Sequence, residues 1–149
     1  MRVALYQPDI AGNVGAVLRI GACFGIPVDI IEPCGFVFSD ARMKRAGMDY
    51  LAHVDMVRHA DWQAFRAAQP GRLVLMSAHG SEPLYSAAFA PDDILLMGSE
   101  SAGVPQDIHD AAAMRIRIPM RPGLRSLNLA VSTGIALAEA LRQTGGLPE

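Results

Sequence analysis

The 149 residues are 51% hydrophobic and 19% charged, which excludes wholesale disorder and fits one ordinary domain, expected to span positions 1–149. Thirteen basic residues against fifteen acidic ones leave a net charge of −2. That excludes a basic architectural nucleic-acid binder but leaves room for a local cationic patch. Cys23 and Cys34 show no CxxC and no Cys/His ligand spacing, so they read as two reduced thiols in a cytoplasmic protein, and no metal is expected. The first apolar run is too short for a secretory signal, and no uncharged stretch of about 18 apolar residues predicts a membrane span.

In chain order, Arg2 to Tyr6 is an apolar run ended by Pro8 and reads as a strand. Asn13 to Phe24 carries Val14, Val17, Leu18 and Gly21 at helical spacing, with Asn13 as the expected N-cap and Gly25 as the stop. Val28 to Ile31 is a second strand. Ser39 or Asp40 is expected to cap a short helix holding Arg42, Lys44 and Arg45. Val54 to Val57 is a weak strand, and Asp61 caps a helix through Ala68 with Trp62 and Phe65 on one face. Leu73–Met76 and Ile94–Met97 are strands of the buried type. Pro105 opens a short helix, Met114 to Ile118 is the last strand, and Ser126 to Gln143 is a long helix stopped by Gly145-Gly146. Strands alternating with helices predict an α/β fold with a mostly parallel sheet, and in such sheets ligands bind beyond the carboxyl ends of strands.

Three loops stand out at those ends. The first runs from Pro8 to Arg19; it is not a GxGxxG dinucleotide loop, and Asn13 could serve as a cap or face a ligand. The second, Gly98-Ser99-Glu100-Ser101-Ala102-Gly103-Val104-Pro105, sets a carboxylate between two glycines that expose backbone to a ligand. It also brushes against the GxSxG nucleophile elbow, with Ser99 in place of the first glycine. The third, Ile118 to Asn128, is rich in arginine and proline. Ser126 and Asn128 straddle the helix start, where free N–H groups favour polar atoms. His53, His59, His79 and His109 are scattered without metal spacing. Arg42, Lys44 and Arg45 form a short cationic cluster that suits either solvent or phosphate.

Taken together and in this order, the three segments resemble the SPOUT RNA methyltransferases. The resemblance covers nearly the whole chain, and it is strongest to the small members that 2′-O-methylate a cytidine or uridine at the tRNA wobble position. It is carried by Asn13-Val14-Gly15-Ala16-Val17-Leu18-Arg19, by Gly98 to Pro105, and by Ile118-Pro119-Met120 running to Ser126-Leu127-Asn128-Leu129. Ile31-Glu32-Pro33 and Arg45-Ala46-Gly47-Met48-Asp49-Tyr50 fit the same subgroup.

The resemblance implies a deep trefoil knot in the C-terminal part, an exception to the rule against knots. It implies S-adenosylmethionine in that knot, held at Met76, Gly98, Ile118, Met120 and Ser126. It implies tRNA as substrate, a homodimer, and Asn13 and Arg19 of one subunit working beside the cofactor of the other. Arg19, Asn13, Glu100, Ser126 and Asn128 are then the catalytic set. A guanidinium is a poor free base, so Arg19 is expected to orient phosphate and ribose and to stabilise alkoxide charge, with Glu100 fixing it. Arg42, Lys44, Arg45, Arg121 and Arg125 are the expected RNA contacts. The last helix, with Leu127, Leu129, Val131, Ile135, Leu137 and Leu141, is wider in apolar surface than one core stripe needs and suits a dimer. Rival readings are a SPOUT enzyme acting on another nucleotide, a hydrolase built on Ser101, and a nucleotide-binding module without catalysis.

Overall fold

In the computed structural model, residues 1–39, 41, 42 and 50–149 are described. The elements run β1 (Arg2–Tyr6), α1 (Ala11–Phe24), β2 (Val28–Ile31), β3 (Met56–His59), α2 (Trp62–Ala68), β4 (Leu73–Met76), β5 (Glu82–Pro83), β6 (Ile94–Met97), α3 (Gln106–Ala111), β7 (Met114–Arg117) and α4 (Leu129–Thr144). Single 3-10 turns at Leu51–His53 and Leu84–Ser86 complete the described set.

The strands assemble in the order β3-β2-β1-β6-β4-β7-β5, and every pairing is parallel. Parallel strands are covered on both faces, which is why β6 is an apolar run without alternation and every residue of β2, Asp29 included, is buried. Period-two geometry then sorts their side chains. Val3, Leu5, Val28, Ile30, Leu95 and Met97 share one core with α1 and α4. Ala4, Tyr6, Ile31, Leu75 and Leu96 share the other with Phe65 of α2 and Ile108 of α3. The second face also encloses Asp29, which is fully buried and bonded to Arg2 Nε at 2.7 Å and to His59 Nε2 at 2.7 Å.

Most expected elements are present within a residue or two, and four differ. The first helix begins at Ala11 with Ile10 as its N-cap, and no side chain caps it. The Ile10 carbonyl takes the N–H groups of Asn13 and Val14 at 3.1 and 3.2 Å, so Asn13 is not the cap and its amide is free for other partners. The last helix begins at Leu129 rather than Ser126. Asn128 is the cap, its Oδ1 accepting from the N–H of Ala130 at 2.9 Å and of Val131 at 3.3 Å. The third strand lies two residues later than expected, at Met56–His59, because His59 is drawn inward to Asp29. The two-residue β5 carries too little pattern to be read in advance. Ser39 Oγ accepts from the Arg42 N–H at 3.3 Å, as a cap would, and the rest of that expected helix, with Asp40, Lys44 and Arg45, lies outside the described residues.

Gly25 and Gly145, both left-handed, end α1 and α4 as expected. Asp61 caps α2 through the Ala64 N–H at 2.7 Å, and Trp62 and Phe65 sit side by side with ring centroids 5.5 Å apart. The two cysteines are free, Cys23 exposed and Cys34 half-buried. No helix among the described residues is long and apolar enough to cross a membrane.

Candidate functional site

β1 lies between β2 and β6, so the chain leaves it in opposite directions on its two sides, and a crevice opens beyond the carboxyl ends of such strands. A cleft of about 990 Å³ occupies that position. All three loops singled out in the sequence meet there. The first comes off β1, the second off β6, and the third leads from β7 into α4.

The second loop is a self-closed turn. Ser99 and Gly103 exchange backbone bonds at 3.0 and 2.9 Å, and Ser99 Oγ accepts from the Ala102 N–H at 3.2 Å. The turn can close this tightly only because position 98 is glycine. A Cβ there would lie 2.7 Å from the Gly103 Cα and carbonyl carbon, too close for backbone to yield.

A polar chain joins the three loops. Glu100 Oε1 accepts from Asn13 Nδ2 at 3.0 Å, and Glu100 Oε2 accepts from the Asp9 N–H at 2.8 Å. Asn128 Nδ2 donates to Asn13 Oδ1 at 2.9 Å while its own Oδ1 caps α4. The asparagine orientations are thereby settled, since each amide donates and accepts along the chain. Asp9 Oδ2 takes both the N–H and the hydroxyl of Ser101, at 2.9 and 2.7 Å. Those two donors hold the Asp9 carboxyl below its ordinary range. Burial raises the nearby Cys34 thiol to about 11, with Glu32 adding to the rise, so it is a thiol at neutral pH.

The first loop reaches this position through an unusual backbone. Gln7 has φ 43°, in the left-handed region, directly before Pro8. Such a conformation costs about 1–3 kcal/mol for a residue with a side chain. The Gln7 N–H is fixed to the Ile31 carbonyl at 2.9 Å, and the Gly35 N–H to the Pro8 carbonyl at 2.9 Å, which hold the turn from both sides.

Met76, Gly98, Ile118, Met120 and Ser126 all line the cleft, as do Asn13, Glu100, Asn128 and Arg125. A smaller recess of about 380 Å³ shares Met120 and Arg125 with it and adds Arg117 and Arg121. Arg42 is exposed away from these two groups of lining residues, and Lys44 and Arg45 lie outside the described residues.

Arg19 is the residue expected to work beside the cofactor of a second subunit. It is exposed on α1, its guanidinium lies 4.8 Å from the centroid of the Tyr50 ring, and it does not line the cleft of its own chain. Within the chain, Glu100 accepts from Asp9 and Asn13. Ser101 is equally unlike a nucleophile, since its hydroxyl is given to an aspartate and not to a histidine. What pattern reading missed is Asp9, whose only signal was a carboxylate four residues before Asn13.

The cleft suits S-adenosylmethionine. Its volume falls at the upper end of small-molecule sites, Leu75, Met97, Val104 and Ile118 offer apolar walls for adenine and thioether, and Ser77 and Asn128 offer polar atoms for an amino-acid end. Among the described residues, no three His, Cys, Asp or Glu side chains gather as a metal site.

Known proteins agree with this geometry. The model of the SpoU rRNA Methylase family matches residues 1–138. The tRNA (cytidine(34)-2′-O)-methyltransferase of Beijerinckia indica subsp. indica is 54% identical, over 97% of this chain and 92% of its own. The Escherichia coli K12 protein of the same name is 38% identical, over 97% and 94%. A solved structure described as "Structural insights into the 2-OH methylation of C/U34 on tRNA" superposes with a TM-score of 0.90 at 44% identity, covering 95% of this chain and 94% of that one. The SpoU methyltransferase AviRb of Streptomyces viridochromogenes, solved with AdoMet, has a TM-score of 0.81 at 28% identity, covering 96% of this chain and 57% of that one. With its whole parallel sheet and its cleft inside the matched span, this chain belongs to the SpoU methylase family.

Proposed function

We propose that the protein transfers the methyl group of S-adenosylmethionine to the ribose 2′-hydroxyl of the wobble nucleotide of tRNA, a cytidine or uridine. The observation that carries this reading is the joining of Asn13, Glu100 and Asn128 by hydrogen bonds at the rim of one cleft, in a chain 54% identical to a relative bearing that activity's name. All 149 residues act as one SPOUT unit, whose C-terminal part is threaded as a trefoil knot. The reaction takes place where tRNA is, in the cytoplasm.

S-adenosylmethionine supplies an electrophilic methyl on a sulfonium, so neither metal nor covalent enzyme intermediate is needed. Met76, Gly98, Ile118, Met120 and Ser126 hold it from the three loops. Asn13 and Asn128 present amide groups for the ribose, and Glu100 fixes Asn13 so that the ribose oxygen can be aligned within about 3 Å of the methyl. Arg19 orients the phosphate and stabilises the alkoxide charge as the 2′-hydroxyl gives up its proton.

Arg19 lies outside its own cleft, so it acts in the cleft of a second copy. The homodimer uses the apolar surface that α4 and its flanks leave open: Val131 is 50% exposed, Leu127 39% and Ile10 51%. Arg125 and Arg121, beside the cleft, take the tRNA backbone, with Arg42, Lys44 and Arg45 as further contacts.

Incubation with methyl-labelled S-adenosylmethionine and bulk tRNA, followed by digestion to nucleosides, tests the reading. Label in 2′-O-methylcytidine or 2′-O-methyluridine is expected, and its disappearance with Arg19→Ala. Label in another nucleoside moves the target within the family. No label overturns the reading.

A further inference from the structure

We propose that Asp9 is a positioning residue for methyl transfer: it ties the loop after β1 to the turn after β6, and so sets Glu100 where it can hold Asn13. This rests on the methyltransferase reading above.

Asp9 meets its partners in both directions across 91 and 92 residues of sequence. Its backbone N–H donates to Glu100 Oε2 at 2.8 Å, and its carboxylate accepts twice from Ser101, the next residue. Two adjacent residues of the turn are thus gripped by one residue of the loop. The remaining Glu100 oxygen is then directed at Asn13 Nδ2, 3.0 Å away.

The loop is built to present Asp9. The left-handed Gln7 turns the chain just before it. Behind it, position 35 must be glycine, since a Cβ there would lie 2.9 Å from the Asp9 Cα and 3.0 Å from its Oδ1. The carboxylate therefore has little freedom except toward Ser101. A carboxylate is a pure acceptor, and here it takes both Ser101 donors, which hold the carboxyl below its ordinary range.

The turn itself does not depend on Asp9. Its Ser99–Gly103 bridge closes it internally. Removing the Asp9 side chain therefore leaves the cleft wall standing and frees only the seat of Glu100. The loss should fall on the rate with both substrates saturating, not on cofactor binding.

A double-mutant cycle reads this directly. Asp9→Ala is expected to lower kcat by about ten- to a hundredfold, as a small misplacement of an aligned group does. In the Glu100→Gln background the same change should cost less than about twofold, because Asp9 acts through Glu100. Asp9→Asn, which keeps one acceptor oxygen, should recover much of the rate. The dissociation constant for S-adenosylmethionine, by calorimetry, should stay within about threefold throughout. Equal losses in both backgrounds, or no loss in the wild-type background, overturn the proposal. So does loss of cofactor binding in both Asp9→Ala and Asp9→Asn, which would make Asp9 a residue of the fold. A wild-type protein that methylates no tRNA overturns the reading beneath it, whereas active wild type with an indifferent Asp9→Ala overturns this proposal alone.

Discussion

Two polar networks hold this sheet, and they are built for opposite purposes. One is closed: Asp29 sits fully buried on the α2/α3 face between Arg2 and His59, each 2.7 Å away. The other is open: Glu100, Asn13, Asn128, Asp9 and Ser101 join three loops at the mouth of the cleft, half-buried or exposed. Both satisfy their members. Among the described residues, no buried side-chain nitrogen or oxygen lacks a partner. The difference lies in what replaces a lost bond. Water can reach the open network and cannot reach Asp29, so the closed network governs stability and the open one governs geometry.

The sharpest way to break that contrast is to delete one member of each. Asp29→Ala leaves Arg2 and a buried His59 without their anion, and should cost about 3–5 kcal/mol of stability by urea unfolding. An equally stable Asp29→Ala protein would end the distinction. Glu100→Gln should lower the methyl-transfer rate by about a hundredfold while its Tm stays within about 2 °C of wild type, measured by calorimetry beside the kinetics.

The rim residues test how far the open network's role extends toward RNA. Arg125→Ala should weaken tRNA binding several-fold and reduce the salt dependence of log Kd by about one, as loss of one phosphate contact does. An unchanged slope would place Arg125 away from the backbone.

The smallest effect concerns protons. The Asp9 carboxyl lies below its ordinary 3.8 because the Ser101 hydroxyl and N–H both donate to it. A carboxyl held low in the folded state adds stability at pH values above its ordinary value, and that stability fades as pH falls through the depressed one. Ser101→Ala should therefore shift the Asp9 midpoint upward in a carbon-detected NMR titration and make acid unfolding slightly less pH-dependent. A midpoint that does not move would remove the hydroxyl as its cause.

The two networks also differ in how far the sequence discloses them. Short apolar runs bounded by turn residues, such as Leu73–Met76 and Ile94–Met97, read as buried strands, so much of the sheet is legible from them. Gly25, Gly145 and Asp61 mark helix ends by local chemistry alone. Asn13 and Ser126 mislead because several residues nearby can cap a helix, and the choice depends on partners elsewhere. Asn13 faces Glu100, 87 residues away, and Asn128 caps in place of Ser126 while reaching back 115 residues to Asn13. The glycine-bounded loops at strand ends disclose where the cleft is. They do not disclose that Arg19 lies over the Tyr50 ring, nor the grip of Asp9 on Ser101, which no local spacing encodes.

The placement of β1 bears on synthesis as well. It is made before the strands it pairs with, yet it lies inside the sheet, and Arg2 pairs with Ile94 from much later in the chain. Contacts this distant in sequence form slowly, and an unpartnered apolar strand is exposed to aggregation while it waits. The cleft waits longer still, since Asn128 follows β6 by about thirty residues and closes the last link. A nascent chain halted before that point has its β6 turn but no completed pocket. Ligand capture thus requires the chain as far as α4, and cofactor present during translation would stabilise only chains that have reached that helix.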